Sequence, residues 1–167
     1  MKLVYFSHSR IPSREANSLH VIFMASAFAE MGFDVTLVSW PVGNRSELDP
    51  SELSEQYGVA GKIIHKHYKQ LKIPGVSYVA AIAAAVNARL NGTDIVIGRN
   101  LRPCFFAALL RQKVIYETHQ PLKDMPWLDR VFFHVLAKSK FCIGVVTISK
   151  PLAEILNREL NFESTPL

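Results

Sequence analysis

The side chains able to do chemistry fall in four short polar clusters, each just after an apolar run. Ser7, His8, Ser9 and Arg10 follow the first run, and Arg99 and Asn100 follow the run at 94–98. Glu117, Thr118, His119 and Gln120 follow the run that starts at Lys113, and Ser149 and Lys150 follow the one at 142–147. Arg99, just past a glycine and a buried strand, can project a planar fork at a carboxylate or phosphate. His119 titrates near neutrality, and beside Glu117 it can serve as hydroxyl ligand, base or bridge between loops. Ser9, Arg10, Asn100, Glu117 and Ser149 add hydroxyl, amide and charged partners. Such a set can hold hydroxyls, a carboxylate or a phosphate. His65 and His67 fall on one face of a strand. They lack a third ligand, so a surface pair is expected there and no metal site.

Several other chemistries are missing from the sequence. No glycine fingerprint for a dinucleotide and no phosphate-cradling loop ending in Gly-Lys-Ser/Thr occurs. No Cys-x-x-Cys pair or serine-hydrolase elbow occurs either.

These clusters need a frame to bring them together. Residues 2–7, 34–39, 62–68, 94–98, 113–117 and 142–147 read as strands, and most are solid apolar runs rather than alternations, as in a parallel sheet covered on both faces. Between them the pattern predicts helices. The first runs to about Met31, capped by Asn17 or Ser18 and stopped by Gly32. It is apolar nearly all round, so it is expected to be buried. Others are expected at 52–57, 76–90, from the turn of Pro103 to about Arg111, at 128–138, and from Pro151 to about Leu160. The alternation predicts an α/β fold, a doubly wound, mostly parallel sheet with helices on both faces. In such sheets ligands bind beyond the carboxyl ends of the strands, where the four clusters lie.

The bulk composition agrees with one globular domain: 167 residues, 49% hydrophobic, 20% charged. A net charge of +5 suits an anionic substrate or an acidic membrane surface. No basic run interleaved with aromatics points to nucleic acid. Cys104 and Cys142 read as buried free thiols in a reducing compartment. No segment reads as a signal peptide or a membrane span.

The stretches SREANSLH (13–20) and AFAEMGFDVTLV (27–38) resemble the opening of the family 4 retaining glycosyltransferases, which have the GT-B fold. DIVIGRN (94–100), VIYETH (114–119), and VTIS with PLAEIL (146–149, 151–156) are similar to later segments of that family, in the same order. The resemblance implies the Rossmann-like, acceptor-binding N-terminal half of an enzyme that moves a sugar from a nucleotide diphosphate sugar to an acceptor hydroxyl with retention. By the same resemblance His119 would face donor sugar and acceptor, Arg99 would contact phosphate or acceptor, and the helix start at Asn17 and Ser18 would sit by the diphosphate. The sugar nucleotide is a substrate, and neither cofactor nor metal is expected. The Gly-Gly pair frequent in the family's first loop is replaced here by SREANS.

The domain is expected to span 1–160, with 161–167 a tail or the start of a linker to a C-terminal half. That half would hold the nucleotide and a pair of glutamates, so the chain alone is expected not to transfer sugar. The acceptor would be a glycan or a lipid-linked saccharide. The location would be cytoplasmic, or peripheral at the inner face of the membrane, where Lys62, Lys66, Lys69 and Lys72 are candidate contacts. An apolar interdomain face is expected to drive self-association. Two other readings remain open: a stand-alone glycan- or lipid-binding module, and half of a sugar-nucleotide epimerase of the same fold.

Overall fold

The structure, a computed structural model, describes residues 1–43, 46–68 and 76–160. Lys69, Lys72 and the tail 161–167 lie outside the described residues. The elements alternate: β1 (Lys2–Ile11), α1 (Ala16–Glu30), β2 (Asp34–Pro41), α2 (Pro50–Tyr57), β3 (Ile63–His67), α3 (Val76–Leu90), β4 (Ile95–Gly98), α4 (Leu101–Leu109), β5 (Lys113–Thr118), α5 (Trp127–Ala137), β6 (Cys142–Thr147) and α6 (Lys150–Leu160). A single 3-10 turn, Leu122–Asp124, precedes α5.

The strands form one six-stranded sheet in the order β3-β2-β1-β4-β5-β6, and every pairing is parallel. This is the α/β architecture expected. Alternate residues of β1 explain its unbroken apolar run. Leu3 and Tyr5 pack on one face with Val21 and Ile22 of α1 and Leu53 of α2. Val4 and Phe6 pack on the other with Ala107 of α4, Phe133 of α5 and Leu156 of α6. Both faces are therefore apolar, as a doubly covered parallel strand requires.

The strand order reverses between β1 and β4. The chain leaves β1 toward one face and β4 toward the other, and a crevice opens between the two exits. Close packing there depends on Gly98, the last residue of β4. A Cβ on it would stand 2.6 Å from the sulfur of Cys104 and 2.8 Å from the carbonyl oxygen of Phe6.

Several expectations change. α1 starts earlier than expected, with Glu15 in the cap position and no side-chain cap. The hydroxyl of Ser13 accepts from the amide of Glu15, so a turn already precedes the helix and frees Asn17 and Ser18 for tertiary contacts. Nor is α1 buried all round: Phe23 is 50% exposed and Met24 36%. An apolar helix can still lack a partner on one side. His65 is buried rather than part of a surface pair. Its Nδ1 accepts from the amide of Leu48 at 3.0 Å and its Nε2 lies 2.9 Å from the Ser39 hydroxyl, because the chain before α2 folds over it. Cys104 is buried, whereas Cys142, on the edge strand, is half-buried.

Candidate active-site cleft

A cleft of about 350 Å³ opens at the β1/β4 crevice, at the low end of the roughly 300–1,000 Å³ usual for small-ligand sites. Its walls come from His8, which lies within β1 because that strand runs on past the expected end at Ser7, from Arg99 and Asn100 after β4, His119 and Gln120 after β5, Trp40 at the end of β2, and Arg102 and Asp129 in the first turns of α4 and α5.

Beneath the cleft a buried hub ties these exits together. Arg99 Nε lies 3.1 Å from Glu117 Oε1, close enough to pair though not aligned as a hydrogen bond. The other oxygen of Glu117 accepts from the Tyr5 hydroxyl at 3.1 Å, and His20 of α1 stands 3.5 Å from Oε1. Burial and the adjacent Glu117 carboxylate push the Tyr5 phenol up, so it stays a donor. Arg99 Nη1 donates to Asn17 Oδ1 at 2.6 Å. One guanidinium thus spans β4, β5 and α1, and its Nη2 has no protein partner among the described residues.

His119 is exposed to the cleft and makes no hydrogen bond among the described residues. Partial burial lowers its pKa, and the Arg99 cation adds to the effect against the opposing pull of Glu117. His8 is lowered likewise, by desolvation at the wall and by Arg102 and His119. The cleft therefore presents two neutral imidazoles at pH 7, each able to accept a proton or a hydroxyl hydrogen bond.

A third fixture sits on the outer wall. Arg102 grips both oxygens of Asp129 at 3.1 and 3.3 Å, donates to the Ser77 hydroxyl at 2.6 Å and lies over the Tyr78 ring at 4.3 Å. With its fork fully used, Arg102 is a clamp between α3, α4 and α5 rather than a free cation.

Of the expected site residues, Asn17, Arg99, Asn100 and His119 meet at the cleft, with Glu117 below them. Asn100 is buried and its amide donates to the Tyr68 hydroxyl at 3.3 Å. Ser9 and Ser18 turn inward instead. Ser9 Oγ donates to the Asn17 carbonyl, and Ser18 Oγ to the Arg10 carbonyl, so both staple the loop to α1. Arg10 is exposed and outside the cleft wall. Ser149 is not brought to the rim: its Oγ accepts from the Leu152 amide at 3.4 Å, as a helix cap does.

Trp40, Arg102, Asp129, Tyr5 and His20 were not singled out from the sequence. Asking what ends β2, as was asked of the other strands, would have found Trp40. The Arg102–Asp129 clamp joins two helices by tertiary packing and leaves no local signal.

No protein-family model matches the chain, and no curated protein matches it significantly. Solved structures do. A UDP-GlcNAc 2-epimerase from Methanocaldococcus jannaschii superimposes with a TM-score of 0.65 at 13% identity, over 98% of this chain and 43% of that one. The lipopolysaccharide outer core galactosyltransferase WaaB, in its apo form, superimposes at 0.60 and 14% identity, over 95% of this chain and 42% of that one. The chain spans under half the length of either. The likeness shows the fold: a Rossmann-like half of the GT-B type.

Proposed function

We propose that this chain is the acceptor-side half of a retaining glycosyltransferase of the family 4 kind, working with a second domain that brings the nucleotide diphosphate sugar. The observation that carries the reading is the unbonded, neutral His119 beside a pinned Arg99, at the crevice of a fold shared with a galactosyltransferase. In this reading a glycan or lipid-linked acceptor lies in the cleft. Its hydroxyl hydrogen-bonds His119, and Trp40 offers a flat apolar face to the sugar ring. Arg99 Nη2 and the first turn of α1 meet the charge of the diphosphate, since free helix amides and a guanidinium both favour anions. The reading uses no metal.

The test is to follow backbone amide shifts of the chain with oligosaccharides and with UDP-galactose. Saccharides should shift residues 98–101 and 117–120, and no sugar transfer or UDP-sugar hydrolysis should occur without a second domain. Turnover by the chain alone would refute the proposal.

A second reading, half of a sugar-nucleotide epimerase, is favoured by the higher superposition on the M. jannaschii enzyme. It differs in needing no acceptor. If UDP-GlcNAc shifts the same residues and saccharides do not, the second reading replaces the first.

A further inference from the structure

The outer face of α5 is not explained by packing. The helix buries Phe133 and Leu136 and stacks Phe132 on Phe105 with centroids 4.3 Å apart. On its opposite side Trp127 is 72% exposed, Val131 48% and Val135 46%. Arg130, His134 and Lys138 are exposed as well. Both sets repeat every four residues, so at the turn angle of an α-helix all six fall within an arc of about 140°. That arc has no acid. The one carboxylate of the helix, Asp129, is on the inner side and is gripped by Arg102.

Lys123, exposed in the turn before α5, extends the basic character toward the Trp127 end. The nearby acids are Asp124 and, from α6, Glu159, whose Oε2 is already taken by the Leu122 amide at 3.0 Å. Apolar side chains flanked by cations, with an indole at one end, suit the boundary between headgroups and acyl chains. Alkyl and aromatic groups leave water there while cations meet phosphates.

We propose that α5 docks this protein on an anionic lipid bilayer, with Trp127, Val131 and Val135 entering the interface and Arg130, Lys138 and Lys123 contacting lipid phosphates. Charge decides for a bilayer over a second copy of the chain: two such arcs facing each other would set cation against cation. The position has a use, because Met125 and Asp129, at the start of the same segment, line the cleft. A bilayer under α5 would bring lipid-borne molecules to the cleft wall. This surface is distinct from the Lys62 and Lys66 edge, where Lys66 is already paired with Glu47 at 3.1 Å. It does not depend on which reaction the cleft serves.

The test is flotation of the full chain with phosphatidylcholine vesicles, with and without phosphatidylglycerol. The chain should float only with the anionic vesicles and be released by salt. Its tryptophan emission should shift blue, and Trp127→Phe should abolish the shift. The triple variant Trp127→Ala, Val131→Ser, Val135→Ser should lower partitioning at least tenfold while keeping the far-UV spectrum. Lys123→Glu with Lys138→Glu should lower it at least about tenfold too, since each cation near the surface counts for about fivefold. If the triple variant misfolds, the double variant decides. Equal flotation on neutral vesicles, no flotation, or unaltered binding by the variants would overturn the proposal. So would a solution dimer that the same variants dissolve.

Discussion

Acid should weaken this protein through one buried ring, that of His65. The Leu48 amide donates to Nδ1, so Nδ1 carries no proton and Nε2 is the nitrogen that donates to Ser39 Oγ. Protonation would put two donors face to face in the interior. Burial, with smaller repulsion from His67, pushes His65 from 6.5 down to about 4. The folded state therefore resists a proton that the unfolded chain takes up below its ordinary value. The contribution is fully present above about pH 6.5 and falls by about 1.4 kcal/mol per pH unit until the folded ring titrates, about 3 kcal/mol in all. The perturbation is His65→Asn, which keeps an acceptor toward Leu48 and removes the titration. Urea unfolding of both proteins, at neutral pH and at about pH 5, gives the difference in slope. The variant is expected to start weaker, by about 1 kcal/mol for the lost Ser39 bond, and then to lose less on acidification. Identical slopes, or an NMR titration of the His65 ring near its ordinary value, would refute the reasoning.

Glu117→Ala leaves the Arg99 side chain, 14% exposed, without its anion, and should cost about 3–5 kcal/mol in urea unfolding. Gly98→Ala must push Cys104 or Phe6 aside, and calorimetry should show a loss of about 1–3 kcal/mol. Phe133→Ala empties a fully buried site edge-on to Tyr116 and should cost about 3–5 kcal/mol by chemical denaturation. Since His119 is held below its ordinary value, saccharide binding followed by NMR should stay flat around neutrality and weaken only on acidification. His119→Ala should remove that acid limb.

The central strands β1, β4 and β5 were legible in the sequence because both their faces are largely buried, which gives each an apolar run that side-chain type alone reveals. Helix α1 was misjudged for the opposite reason. Its composition is apolar, but composition does not say on which side a partner is missing, and Phe23 and Met24 face outward. Arg99 and His119 line the cleft where the strand ends suggested, since long or aromatic polar side chains at a strand end have few local ways to be satisfied. Ser9, Ser18 and Ser149 were expected at the rim, but a short hydroxyl can as well bond a backbone group, and theirs bond the Asn17 carbonyl, the Arg10 carbonyl and the Leu152 amide. The burial of His65 depends on residues before α2 folding over it, which no periodicity encodes.

The Arg99–Glu117–Tyr5–Asn17 hub has a consequence for the order of folding. Tyr5 and Glu117 are 112 positions apart, and Asn17 and Arg99 are 82. Closing loops of that length is entropically expensive and slow, so these bonds form only after β1, β4 and β5 have paired at the centre of the sheet. The cleft is then a late product of folding, and its ligand would bind only molecules whose whole central sheet is in place. Ligand binding during refolding would report completion of the sheet's centre.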